Sequence, residues 1–224
     1  MSHCAREHLR LGNETYDVAI RRFIPGYDAM LEVAADAVAA VQPEVVLDLG
    51  AGTGALSEAL LDRPEIHTVE LLDVDSEMLA QAKQRLTRFA GRVRFTLRSY
   101  DEALSPSDAC VASLSLHHIA TIEAKSALFS RVYDNLRPGG ILVNADVNMP
   151  IDRAERERLY RYWADHLVGN GIAEDRAWQF FAEWSDEDTY LSMESELEEL
   201  SKLGFAAEYV WRDGPVGVMV AKKV

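Results

Sequence analysis

One strand running straight into a glycine-rich turn constrains this chain more than any other stretch: Val45-Val46-Leu47-Asp48-Leu49-Gly50-Ala51-Gly52-Thr53-Gly54. A near-continuous apolar run suits a strand buried on both faces. The glycines let the backbone approach a ligand closely and open a helix whose first N–H groups face a negative group. Alone the stretch is ambiguous, because Gly50, Gly52 and Ala55 also satisfy the dinucleotide-binding spacing. Two features break the tie. Asp48 sits two residues before the first glycine, where a pyrophosphate would be repelled and a ligand ammonium welcomed. About twenty residues past the glycines, Leu71-Leu72-Asp73-Val74-Asp75 reads as a strand ending in carboxylates. One of these carboxylates, Asp73 or Asp75, can accept both hydroxyls of a ribose.

The rest of the chain alternates in the same way. Strands are expected at 45–49, 68–74, 93–97, 109–114 and 141–147, and helices at about 55–61, 76–90 and 122–136. Ser76 reads as the N-cap of the second of these helices and Gly91 as its stop. Strands separated by helices imply a parallel sheet covered on both faces. Before it, 16–41 predicts two short helices that meet at Pro25-Gly26. After it, 151–190 predicts two aromatic-rich helices around Gly169-Asn170-Gly171, and a last helix spans 193–203. Segments 205–211 and 216–220, joined by Asp213-Gly214-Pro215, must pair antiparallel, since a parallel return needs a crossover.

Composition narrows the class. At 224 residues and 48% hydrophobic content the chain can bury one ordinary core without disulfides or a structural metal. A net charge of −14 argues against a general nucleic-acid binder, which needs clustered Lys and Arg. Of the 2 cysteines, Cys4 lies in a polar start and Cys110 in an apolar run, which reads as free thiols in a reducing compartment. Residues 1–15 read as a flexible start lacking a secretory apolar region, and His3, Cys4 and His8 are not expected to bind metal. The apolar stretch 33–41 is too short to span a bilayer. A soluble cytoplasmic protein is expected.

In this order and spacing the motifs resemble the class I S-adenosylmethionine-dependent methyltransferases. They are residues 48–54, Asp73-Val74-Asp75-Ser76-Glu77-Met78-Leu79, Leu116-His117-His118-Ile119, Leu136-Arg137-Pro138-Gly139-Gly140 and the final hairpin. The resemblance implies a Rossmann-like, doubly wound α/β fold with a mostly parallel seven-stranded sheet ending in an antiparallel hairpin. It implies S-adenosyl-L-methionine as cofactor, with Asp48, Gly50, Ala51 and Gly52 around the methionine moiety and Asp73 and Val74 at the ribose. Tyr100 or Asp101 would meet adenine, and Ser115 completes the set. His118, after the fourth strand, is the candidate general base, while packing or a backbone hydrogen bond is the plainer role for either histidine of the pair. No metal is expected.

A narrower resemblance links Ile24-Pro25-Gly26-Tyr27 and Gly204-Phe205 to the carboxymethyl-transferring enzymes that modify tRNA wobble uridine. It implies that Tyr27 folds over the cofactor. The chain departs from that group at Glu199, where an arginine would hold the extra carboxylate, and 151–204 carries 14 acidic against 6 basic residues. The expected organisation is an N-terminal helical cap (1–41), a cofactor-binding core (42–149), a helical substrate cover (151–190), and a final helix and hairpin (191–224). The expected activity is methyl transfer to an oxygen or nitrogen of a small molecule, without nucleic acid or membrane, and with a homodimer left open. A tRNA-uridine modifier, a silent cofactor-binding partner subunit and an NAD-dependent oxidoreductase are the alternatives.

Overall fold

The computed structural model describes residues 16–224, so the expectations for His3, Cys4, His8 and the rest of 1–15 lie outside the described residues. Five strands carry the alternating part: β1 (Val45–Leu49), β2 (Thr68–Asp73), β3 (Val93–Leu97), β4 (Ser107–Ser113) and β5 (Leu136–Val147). The hairpin is β6 (Phe205–Asp213) and β7 (Val216–Lys223). All seven form one sheet in the order β3-β2-β1-β4-β5-β7-β6, with β7 antiparallel to both neighbours. The strand order reverses between β1 and β4, which leaves a crevice at their carboxyl ends.

Period-two alternation decides which side chains face which helices. Val46, Val69, Leu71, Val111 and Val143 join a core with α1 (Tyr16–Phe23), α2 (Tyr27–Ala39), α3 (Ala55–Leu61) and α4 (Ser76–Arg85). The same core takes in α6 (Arg153–Gly169) and α7 (Glu174–Trp184). Leu47, Leu49, Leu72, Cys110 and Leu142 face the other way, onto α5 (Ile122–Asn135) and α8 (Met193–Lys202). Both faces are therefore dry, as the unbroken apolar strands require.

Three local expectations change. Asp75, not Ser76, caps α4: its carboxylate accepts from Glu77 N at 2.8 Å and Met78 N at 3.2 Å. The helix ends at Arg85 and tightens into a 3₁₀ turn, Leu86–Phe89, before Gly91. Strand β5 begins at Leu136 rather than 141, because Leu136 already pairs with Ser107 across a register shift. The N-terminal segment also does more than cap the site. Met30, Ala34, Ala35 and Val38 of α2 are fully buried, so that helix is a layer of the core.

Candidate active site

The glycine turn is tied to the sheet by Gly50 N and Ala51 N, which donate to Leu72 O at 2.8 and 3.0 Å. Gly50 has φ +67°, and a Cβ there would run into the Ser115 side chain, so two constraints select glycine. Asp48 is buried; its Oδ2 accepts from Ser57 Oγ at 2.6 Å, and its Oδ1 takes no hydrogen bond among the described residues. Burial pushes this carboxyl up to about 7, against the pull of the Ser57 hydroxyl, and nearby Asp73 adds to the rise. A buried carboxylate oxygen held in reserve fits a ligand ammonium.

Asp73, at the end of β2, accepts from Gly52 N at 2.7 Å and from Asp75 N at 2.8 Å. Burial raises its pKa, and these backbone donors counter the rise. Asp73 and Asp75 both line the crevice, Asp73 with each oxygen accepting a backbone N–H and Asp75 also capping α4. A cavity of about 400 Å³ opens there, a size suited to a nucleoside-bearing ligand. Tyr27, Asp48, Gly50, Ala51, Gly52, Asp73, Val74, Tyr100, Asp101, Ser115 and His118 all line it. Arg98 is the one arginine or lysine lining it among the described residues, and its backbone N bonds Asp73 O at 2.9 Å.

The cavity is closed on one side by Tyr16 and the buried Tyr27. Tyr27 starts α2 directly after Gly26, whose φ of +61° makes the corner and whose missing Cβ leaves room for Trp211 and Asp213. Sequence reasoning missed the fastening of α1. Asp17 accepts from Thr53 Oγ1 of the glycine turn at 2.8 Å and pairs with Arg85 of α4. A lone acid in an amphipathic helix gives no sequence sign of such a latch.

Beside the first cavity lies a second, of about 60 Å³, lined by Phe23, Leu114, His117, His118, Trp163, Trp184, Asp188 and Tyr190, among others. Tyr16, Leu114 and His118 belong to both. The aromatic segment divides its labour. Trp163 and Trp184 line the small cavity, whereas Tyr160, Phe180 and Phe181 build the ring cluster behind them. Trp163 Nε1 donates to Phe23 O at 2.6 Å, joining the cover to α1.

His117 and His118 each lie beside a carboxylate. His117 Nδ1 is 2.6 Å from Asp146 Oδ1, and Leu116 N and His117 N donate to Asp146 Oδ2 at 3.0 and 3.1 Å. Burial alone would raise the Asp146 carboxyl, yet His117 beside it holds it below the usual carboxylate range. His118 Nδ1 is 3.0 Å from Asp188 Oδ1. Sequence reasoning passed over both acids. An aspartate inside the apolar run Ile141–Val147 was the available signal for Asp146; Asp188 lies in an acidic stretch that reads as a solvated turn.

The acidic helix α8 is not wholly solvated: Glu196 is fully buried, 2.7 Å from Lys125 Nζ and 2.9 Å from the Tyr209 hydroxyl. Glu199 pairs with Lys202 at 2.7 Å and does not line the cofactor cavity. That position therefore bears on neither cofactor charge nor its recognition.

Comparison with known proteins agrees with this geometry. Residues 46–140 match the family described as methyltransferase domain. An uncharacterized methyltransferase of Geobacillus kaustophilus is 27% identical over 210 residues, 94% of this chain and 89% of its own length. The carboxy-S-adenosyl-L-methionine synthase of Aeromonas salmonicida is 27% identical over 200 residues, covering 86% of this chain and 80% of that protein. The narrower resemblance thus falls on proteins named for making the carboxylated cofactor, not for transferring its carboxymethyl group to tRNA. Among solved structures, a SAM-bound amino pentose methyltransferase from Micromonospora echinaspora superposes with TM-score 0.65 at 21% identity, over 96% of this chain and 98% of that one. An O-methyltransferase family protein from Burkholderia thailandensis gives TM-score 0.68 at 17% identity, covering 88% and 55%. With the family match spanning the strand–glycine-turn core and the sheet completed by an antiparallel hairpin, this chain carries a methyltransferase domain in the fold of the S-adenosyl-L-methionine-dependent methyltransferases.

Proposed function

We propose that the protein transfers a methyl group to an oxygen or nitrogen of a small molecule bound between the glycine turn and the helical cover. The observation that carries this reading is the pair of adjoining cavities that share Tyr16, Leu114 and His118. In the larger, Asp48 would hold the cofactor's ammonium, Gly50, Ala51 and Gly52 its methionine chain, and Asp73 and Val74 its ribose. Tyr100, Asp101 and Ser115 would enclose the adenine side, with Tyr27 closing over the ligand. The smaller, aromatic cavity would admit the acceptor. S-adenosylmethionine, when bound, supplies an already activated methyl group, so the protein's share is alignment and exclusion of water.

His118 is the side chain we assign to receive the acceptor's proton, because it faces both cavities and Asp188 steadies its ring. Unmodified S-adenosylmethionine is the cofactor of this reading, as in the SAM-bound structural relative. The segments divide accordingly: α1 and Tyr27 over the cofactor, 42–149 as its platform, 151–190 as the acceptor cover, and 191–224 completing the sheet. The strongly acidic surface favours an uncharged or cationic small acceptor over RNA.

Turnover tests this reading. Release of S-adenosylhomocysteine should depend on a member of a small hydroxyl- and amine-bearing acceptor panel. His118→Ala should lower kcat by about 10²–10⁴-fold while S-adenosylhomocysteine still binds. Modification of tRNA, or no turnover with any acceptor despite cofactor binding, would count against it.

A further inference from the structure

Beyond the cofactor site, the structure assigns to His117, His118 and Asp188 a three-ligand site for a divalent first-row transition ion, placed where the acceptor would bind. One nitrogen from each ring and one Asp188 oxygen lie within 4.8 Å of one another. Asp188 Oδ1 is 3.0 Å from His118 Nδ1 and 3.8 Å from His117 Nε2. Tetrahedral ligands at zinc–nitrogen and zinc–oxygen bond lengths stand about 3.4 Å apart. The two carboxylate contacts lie within about half an ångström of that spacing, and the remaining separation is no more than 4.8 Å.

The surroundings supply the orientation such a site requires. Asp146 accepts from the backbone N of Leu116, His117 and Val147, so its 2.6 Å contact makes His117 Nδ1 the N–H nitrogen. Nε2 is then the ring's ligand nitrogen, 3.8 Å from Asp188 Oδ1. The carboxylate–histidine–ion relay is the usual outer-shell pattern of histidine metal sites. On the far side, the Tyr190 hydroxyl donates to Asp188 Oδ2 at 2.5 Å, leaving Oδ1 toward the rings. Thr189 N donates to His117 O at 2.8 Å, locking the Asp188 segment to the histidine pair. Two imidazoles and a carboxylate suit zinc, iron(II), cobalt(II) or manganese(II) better than magnesium or calcium.

Three protein ligands leave coordination open, and the trio lines the small cavity. An acceptor hydroxyl or carboxylate could complete the shell. The ion would lower the pKa of a hydroxyl so that its proton leaves to water. The oxygen's electron pair then forms the bond to the methyl carbon as the carbon–sulfur bond breaks and sulfur keeps its pair. This inference rests on the acceptor occupying that cavity. It moves the acidifying role from the His118 ring to an ion which that ring holds.

The test reads the ion alone, without acceptor or cofactor. Full-length protein purified without a polyhistidine tag and freed of metal by a chelator is titrated with cobalt(II) and followed by visible absorption. One equivalent should bind with ligand-field bands of low coordination number, and zinc(II) should displace it. Asp188→Asn and His118→Ala should weaken cobalt binding at least tenfold, and Asp146→Asn by about 10–100-fold. A thermal shift with S-adenosylhomocysteine that survives in each variant shows that the fold is intact. A His3→Ala, Cys4→Ser, His8→Ala variant should keep the site. No saturable uptake by the wild type, uptake indifferent to Asp188→Asn and His118→Ala, or uptake lost with the N-terminal substitutions would each overturn the assignment. An inactive acceptor panel beside intact cobalt binding would instead sink only the acceptor reading.

Discussion

Asp48 has one carboxylate oxygen on Ser57 and the other buried, and burial lifts its titration to about 7. Its folded-state pKa lies above the unfolded value, so the stability it contributes is present below about pH 4 and is lost as pH rises to 7. The same shift links cofactor binding to protons. Below pH 7 the free protein holds Asp48 protonated, and an incoming ammonium must expel that proton. S-adenosylhomocysteine affinity should therefore fall up to tenfold per pH unit between pH 6.5 and pH 5, roughly one proton being released per ligand bound. Calorimetry in buffers of different ionisation enthalpy measures this directly; zero proton release at pH 6 would remove Asp48 from the ammonium site. The two acids at the end of β2 separate just as cleanly. Asp73→Ala should weaken S-adenosylhomocysteine binding by about 1.5–3 kcal/mol, through lost charge-assisted bonds. Asp75→Ala should instead cost about 1 kcal/mol of folding stability as a lost N-cap, with affinity nearly unchanged. The acidic pair was visible in the sequence, but the division between them was not. Which of the two caps α4 depends on how the strand end turns into the helix.

Among the elements, the helical cover shows how far periodicity reaches. Aromatic spacing over 151–190 predicts helices, and α6 and α7 form there. Which rings touch a ligand is decided by how those helices cross α1, a relation between segments more than a hundred residues apart, as in the Trp163–Phe23 bond. Trp163 and Trp184 line the small cavity, while Trp178 lies at the surface. An acceptor should therefore change tryptophan emission, and Trp184→Phe should remove much of that response. Equal quenching in Trp178→Phe alone would place the acceptor elsewhere. The N-terminal pair behaves differently from a detachable cap. Helix α1 is latched by Asp17 to the glycine turn and α4, whereas α2 lies in the core against β5 and β7. Losing Asp17 should loosen the cofactor side, and losing α2 should unfold the sheet.

For the whole molecule, cofactor recognition and fold stability are one quantity, because only the folded chain brings the ends of β1, β2 and β4 together. S-adenosylhomocysteine at a hundred times its Kd should add about 2.7 kcal/mol to stability, a rise in melting temperature of roughly 5–10 °C. A rise with NAD and none with S-adenosylhomocysteine would contradict the cofactor assignment. By itself the sequence determined the strand–helix alternation, the antiparallel end of the sheet and a group of residues that the fold brings to one cavity. Each is written in a local pattern: continuous apolar strands, a glycine turn, acids at strand ends and a short hairpin loop. Tertiary structure alone decided the latch at Asp17, the buried Lys125–Glu196 pair and the meeting of His117, His118, Asp146 and Asp188. Those contacts join residues 29 to 71 positions apart, and a charged side chain looks the same in sequence whether water or a buried partner surrounds it. Packing supplies the difference, since a charge taken out of water must find a partner within hydrogen-bond reach.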